Sequence, residues 1–256
     1  MSEIRWQKLR RDQIAEAAEH DPVLLLPIGS IEQHGPHLPI DTDTNSATEV
    51  AERAARQVDE GSALVLPAIA WGLSPYWMPF AGTITLRPET ILALFSDIGA
   101  SVAAHGFRRI VIVNGHGGNA GIIAVAATQL ADHGIRAYAL SYWSLLGSEL
   151  AKLTPGDHGM VGHAGQSETS IQLHLQSDLV DPEFKSMTGW TDVAGMAVDP
   201  FRQAAATPPL PLVEAPEGVY GNAPMATAEI GKRIINLAAE RLAELVRNLP
   251  SQVAPT

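Results

Sequence analysis

HGFRRIVIVNGHGGNAG, residues 105–121, is the stretch on which the fold turns. It opens on a histidine–glycine pair. Glycine supplies the left-handed cap that ends a helix, and histidine suits the negative end of the helix dipole. The run RRIVIVNG (108–115) then reads as a strand, apolar on both faces as in a covered parallel sheet. A glycine-rich turn follows and opens the next helix. Outward from here the pattern repeats: PVLLLPIG (22–29), ALVLPAIAWG (63–72) and IRAYALSYW (135–143) read as strands. Helical periodicity covers 44–58, 88–105 and 119–133, and a second pair, His133–Gly134, precedes the last strand. This rhythm predicts an α/β fold, a doubly wound, mostly parallel sheet between helices. Beyond it come a loop entering a helix over 157–176, with a strand possible near its start, and a proline-rich irregular stretch over 190–225. An amphipathic helix spans 226–248. No break in composition divides the chain, which predicts a single domain over 1–256 with its core at about 22–248.

The bulk properties narrow the function. The 256 residues carry 28 Asp and Glu against 17 Lys and Arg, a net charge of −11, which argues against a nucleic-acid partner. With no cysteine, disulfides and thiolate metal sites are excluded. The charged N-terminus has no apolar core of a signal peptide, and no apolar run approaches the ~20 residues that span a bilayer. A cytoplasmic protein without a membrane partner is the expectation.

Three clusters carry the chemistry. GSIEQHGPHLPIDTD (29–43) follows the first strand and packs Glu32, His34, His37, Asp41 and Asp43 together. On extended chain Glu32 and His34 point the same way, and Pro36 and Pro39 stiffen a turn able to return Asp43 to them. Mixed carboxylate and imidazole donors suit Zn²⁺, Mn²⁺ or Fe²⁺. In the second cluster, His116 stands at the carboxyl end of a strand, where open α/β sheets bind ligands. In the third, GHAGQSETSIQLHL (162–175), His163 and Glu168 bracket a glycine turn at a helix start. Ser167 lacks the second glycine of a nucleophile elbow and reads as a helix-start hydrogen-bonding residue. His158 lies in the loop before this cluster and is expected at the substrate. His37 and Asp41 are expected behind the donors, orienting a ligand or fixing the loop. WGLSPYWMPFAG (71–82) concentrates Trp71, Tyr76, Trp77 and Phe80 in one segment, the expected wall of a pocket or a subunit contact. Gly115, Gly117 and Gly121 spell GxGxxxG, which leaves a nucleotide-cofactor-binding oxidoreductase as a rival reading, and a non-catalytic metal-binding scaffold is another.

In their order, GSIEQHGPHLPIDTD, VNGHGGN (113–119) and HAGQSETS (163–170) resemble the three signatures of the creatininase (creatinine amidohydrolase) family. FAGTITL (80–86) and GVYGNAPMATAEIGKR (218–233) are similar to its weaker motifs. The resemblance implies a three-layer α/β/α sandwich, a homo-hexamer built as a trimer of dimers, and hydrolysis of an amide-type C–N bond with two divalent metal ions per subunit. Carried over by position, it implies that Glu32 and His116 hold one ion, His34 the other, and Asp43 bridges them. Creatininase supplies a further carboxylate where Gly118 stands here, and Glu168 is the substitute. Creatininase also has a tryptophan and an acid where Gly159 and Met160 stand, and many relatives have a histidine near Trp77. The resemblance is therefore to the family and not to creatininase itself.

Two ions sharing a carboxylate acidify a water and polarise a carbonyl. His163 is the expected general acid for the leaving amine. Main-chain N–H groups of Gly117 and Gly118 are expected to help hold the oxyanion, and Tyr76 and Trp77 to line the substrate. A small cyclic amide, a formamide or a short peptide fits these motifs.

Overall fold

The computed structural model describes residues 3–157, 161–187 and 217–250. Four parallel strands form the sheet: β1 Val23–Ile28, β2 Ala63–Val65, β3 Arg109–Asn114 and β4 Arg136–Ser141, in the order β2-β1-β3-β4. The register sets Leu25 beside Val65 and Val111, so the apolar runs pair along their length. β1 and β3 are buried throughout, as their continuous apolar character requires.

Side-chain alternation divides the core in two. Leu24, Leu26, Ile28, Ile110 and Ile112 face one side, where Ile91, Phe95 and Val102 of α3 (Pro88–Ala104) and Ile122 and Ile123 of α4 (Ala120–Gln129) cover them. Val23, Leu25, Val111 and Val113 face the other, against α2 (Thr42–Ala55) and the long C-terminal helix. That last helix, Ala228–Asn248, follows α1 (Arg11–Ala18), α5 (Glu149–Leu153) and α6 (Gln166–Leu175) and is numbered α7. Its Ile234, Ile235, Ala238, Leu242 and Val246 recur at helical spacing and are all buried. The result is helix, sheet, helix: a three-layer α/β fold.

Two expectations shift in detail. The strand expected over 63–72 stops at Val65, because Pro67 has no N–H for a ladder, and Ile69 rejoins Ile28 only as an isolated bridge. The helix expected over 119–133 tightens at Leu130–His133 into a 3-10 turn capped by Gly134 at φ 71°. Gly106, after α3, also takes positive φ, at 95°. The strand expected near 157–176 reduces to one antiparallel bridge, His163 to Tyr220. Most of the proline-rich stretch lies outside the described residues. No described helix is long and apolar enough to cross a membrane.

Candidate metal centre

From β1 the connections run out one way to β2 and the other way to β3 and β4, so β1 and β3 flank the switch point of the sheet. Ligands of open α/β sheets bind at such a point, off the strand carboxyl ends. Glu32 and His34 follow β1, His116 follows β3, and Asp43 sits in the first turn of α2. Glu168 joins them from the first turn of α6. All five are buried.

The donor atoms form two overlapping sets. Asp43 Oδ1 lies 3.1 Å from His34 Nε2, which is 3.6 Å from Glu168 Oε2. Asp43 Oδ2 lies 3.0 Å from His116 Nδ1, which is 3.3 Å from Glu32 Oε1. Thus Glu32, Asp43 and His116 make one potential cation site and His34, Asp43 and Glu168 a second, with Asp43 common to both. A third grouping, Glu32, His34 and His163, overlaps them.

Main-chain carbonyls decide which nitrogen of each ring is free. A carbonyl only accepts, so His34 Nδ1 donates to Glu32 O at 3.1 Å and leaves Nε2 as the lone pair facing Asp43. His116 Nε2 donates to Leu73 O at 2.9 Å and leaves Nδ1 facing the carboxylates. His163 Nε2 lies 2.8 Å from Gln33 O and 2.9 Å from the Gln33 amide nitrogen, and its Nδ1 faces Glu32 Oε1 at 3.5 Å. In their neutral forms His34 and His116 thus turn an acceptor inward. Fixing the outer nitrogen in this way orients metal-ligating histidines.

The electrostatics call for cations. Burial alone would lower the basicity of His34 and His116, but Asp43 and Glu168 on one, and Glu32 and Asp43 on the other, raise both well above the ordinary imidazole value. Burial raises Asp43, yet the two histidines overcome it and hold it below the usual carboxylate range. Glu168 is raised, chiefly by burial. Both oxygens of Glu32 and Oδ2 of Asp43 are buried without a hydrogen-bond partner. Asp43 Oδ2 is close to His116 Nδ1, but in the neutral ring the hydrogen lies on Nε2, toward Leu73 O. Orphaned carboxylate oxygens between inward lone pairs are the donor set a divalent ion needs, and the residues fit such ions.

His163 is wedged between His34, at 4.3 Å between ring centroids, and Trp77, stacked at 4.2 Å. Burial and the neighbouring His34 lower its basicity well below the ordinary value. Trp77 is only 2% exposed: its face covers His163, and Tyr76, Phe80 and Tyr220 surround it. Tyr76 reaches the centre directly, its hydroxyl 3.2 Å from His116 Nε2, and burial pushes its pKa up to about 12. Gly118 admits no side chain, because a Cβ would overlap Leu73 O, Tyr76 OH and His116 Nε2. A Cβ on Gly115 would likewise strike Asp43 O. The spaces beside Gly115 and Gly118 are therefore filled by the protein's own atoms, whereas a Cβ on Gly117 or Gly121 would meet nothing within 4 Å.

The remaining expected residues fall behind the centre or away from it. His37 hydrogen-bonds Thr169 Oγ1 at 2.9 Å, next to Glu168, and its carbonyl accepts from Asp181, so it fixes the loop. The Asp41 carboxylate accepts from Gln176 Nε2 at 3.3 Å. His158 lies outside the described residues, as do Gly159 and Met160.

Sequence reading missed Asn114, Asn119 and Asp157. Asn114 Oδ1 accepts from His116 N at 3.0 Å, and Asn119 Oδ1 accepts from Leu73 N at 3.0 Å while its amide donates to Gly29 O at 2.9 Å. Two asparagines flanking the GHGG turn were the available signal, since such side chains satisfy main-chain groups.

Comparison with known proteins completes the description. The creatininase family, described as creatinine amidohydrolase, matches residues 7–246. The mycofactocin precursor peptide peptidase of Mycobacterium ulcerans is 36% identical over 239 residues, 91% of this chain and 85% of the relative. Creatininase with manganese and a mutant creatininase of Zn–Zn type each superpose with a TM-score of 0.79 at 29% identity, over 96% of this chain and 98% of theirs.

Proposed function

This chain belongs to the creatininase (creatinine amidohydrolase) family of metal-binding amide-bond hydrolases without being creatininase itself, and from that premise we propose a binuclear divalent-metal amidohydrolase whose substrate is a short peptide. The observation that carries the two-ion reading is the position of Asp43, whose two oxygens face inward lone pairs of two different histidines. Glu32, Asp43 and His116 would hold one ion and His34, Asp43 and Glu168 the other, as zinc, manganese or iron. Such ions, when bound, supply an acidified water and a Lewis acid for the scissile carbonyl.

The chain's own residues supply the proton transfers. In the tautomer that donates Nε2–H to Gln33 O, His163 Nδ1 is the working atom; kept neutral by burial, it first accepts the proton lost as water adds to the amide carbon. It then returns that proton to the departing amine, the step for which it was expected as general acid. Trp77 at its back holds the ring in plane with this task. To the main-chain N–H groups of Gly117 and Gly118, which follow His116 in a 3-10 turn, we assign support of the developing oxyanion, with Tyr76 beside His116 as a substrate contact.

A peptide takes precedence over a lactam or formamide because the peptidase relative shares 36% identity, against 29% for creatininase, and because Gly118 has no room for the carboxylate creatininase carries there. Ile40 and Ile84, which hydrogen-bond through their backbones to Glu32 and Ile31, are exposed, as is Met78 beside Trp77; they give the Glu32 segment an apolar rim suited to peptide side chains. The hexameric assembly implied by the family resemblance is part of the same proposal.

The test is a panel of short peptides, lactams and N-formyl compounds offered to protein loaded with Mn²⁺ or Zn²⁺, with amine release measured. Peptide turnover that a chelator abolishes and metal restores is the expected result. Turnover undiminished after the metal is removed would overturn the reading, and bound metal without turnover of any member would favour a scaffold.

A further inference from the structure

We propose that Asp157 is a positioning residue for the second cation site, acting as the missing cap of the helix that carries Glu168; this rests on the two-ion reading above. α6 begins at Gln166, and its N-cap position is Gly165, which has no side chain to satisfy the helix's free N–H groups. Asp157 does so from eight residues upstream. Its Oδ1 accepts from Gln166 N at 2.8 Å, and its Oδ2 accepts from Ser167 N at 2.7 Å and Ser167 Oγ at 2.6 Å. The carboxylate is 1% exposed, so these bonds hold it in place of water.

The surrounding sequence makes room for this group. A Cβ on Gly165 would lie 2.6 Å from Asp157 Oδ1, and one on Gly221 would lie 2.5 Å from the same oxygen. Gly162, at φ 71°, closes the third side. Glycines at 165 and 221 thus leave the room one carboxylate needs, a socket that Gly162 borders.

The socket joins two parts of the centre. Glu168 is the third residue of α6, and its Oε2 accepts from Ala164 N at 2.5 Å while facing His34 Nε2. Ala164 takes φ 52°, a conformation costly for a non-glycine residue that the anchored helix start maintains. Asp157 Oδ1 also accepts from Asn222 N at 3.1 Å, two residues beyond Tyr220, whose backbone exchanges two 2.7 Å hydrogen bonds with His163. One buried carboxylate therefore sets both the rise of Glu168 and the depth of His163.

The experiment titrates Mn²⁺ alone into chelated full-length protein, wild type, Asp157→Asn, Ser167→Ala and Glu168→Gln, by calorimetry and by electron paramagnetic resonance. In Asp157→Asn the first equivalent should bind as in wild type and the second about 10–100-fold more weakly, the effect of removing an outer support of a ligand. At two equivalents the spin-coupled pair signal should then give way to isolated Mn²⁺. A lowered melting temperature with both equivalents bound at wild-type affinity would reduce Asp157 to a structural cap and overturn the proposal. Should Asp157→Asn not fold, Ser167→Ala decides: it must weaken the second equivalent several-fold, and wild-type affinity there overturns the proposal. If wild type itself takes only one ion, the two-ion reading fails separately, and the proposal then requires Asp157→Asn to weaken that ion as Glu168→Gln does.

Discussion

Replacing Gly118 with alanine adds a single methyl group, yet it should damage both stability and metal binding. The new Cβ would lie nearer than 3.0 Å to Leu73 O, Tyr76 OH and His116 Nε2. Leu73 cannot simply withdraw: its N–H is held by Asn119 Oδ1 at 3.0 Å and its carbonyl by His116 Nε2 at 2.9 Å. Reaching ordinary contact requires roughly 1 Å of movement, which breaks the second of these bonds. Overpacking of a tight interior costs about 1–3 kcal/mol and the lost hydrogen bond about 1 kcal/mol, giving a destabilisation of about 2–4 kcal/mol. Without its carbonyl partner His116 Nε2 keeps only the longer 3.2 Å contacts to Ser74 Oγ and Tyr76 OH, and the ion at Glu32, Asp43 and His116 should bind about 10–100-fold more weakly. Urea unfolding of the chelated protein measures the first quantity and calorimetric titration with Mn²⁺ the second. Gly117→Ala is the control, since a Cβ there meets nothing within 4 Å. Wild-type stability and affinity in Gly118→Ala, or equal damage in Gly117→Ala, would refute this reasoning. It also follows that Gly118→Glu should fail to restore the carboxylate of creatininase.

Three further outcomes are expected. Asp43→Ala should empty both cation positions, measured as metal content by elemental analysis; one full equivalent retained would contradict the bridging geometry. His163→Ala should keep its metal and lose turnover by about 100-fold or more, and wild-type turnover would remove it from the proton path. His37, lowered to about 4 by burial and then by His34, binds its proton more readily unfolded than folded, so its contribution is present above the unfolded value near 6.5 and is lost as pH falls toward 4. The difference amounts to about 3 kcal/mol, and His37→Asn should flatten the pH dependence of unfolding between those values; an unchanged slope would show that the imidazole is not responsible.

Much of this was legible in the sequence. β1 and β3 were readable because strands covered on both faces are apolar without interruption, and the helix ends because Gly106 and Gly134 need positive φ. The five donor residues stood out because histidines and acids rarely crowd the ends of buried strands. Their pairing through Asp43 came from the family resemblance, and the geometry brings the same atoms together. Less legible was anything that acts through the main chain. Asn119 works by holding the peptide of Leu73, and Asp157 by capping a helix at a distance in sequence, so neither has a partner that local spacing predicts. Trp77 was expected to face a substrate, but the turn at 75–77 folds its ring inward over His163. A segment rich in proline and glycine gives no periodicity from which that direction could be read.

The donors around Asp43 come from the ends of β1 and β3 and from the starts of α2 and α6, with Glu32 and Glu168 separated by most of the intervening chain. No short stretch holds a full set for either ion, so a nascent or unfolded chain offers only fragments of a chelator. On the two-ion proposal, metal loading should be a late event, since a complete donor set needs β3 beside β1 and α6 against α2. An ion bound there acts as a non-covalent cross-link between distant segments, one whose stabilisation grows with free metal concentration. Resistance to unfolding should therefore report the metal supply of the surroundings, and a cell starved of the ion would hold this protein in a looser and more protease-sensitive form.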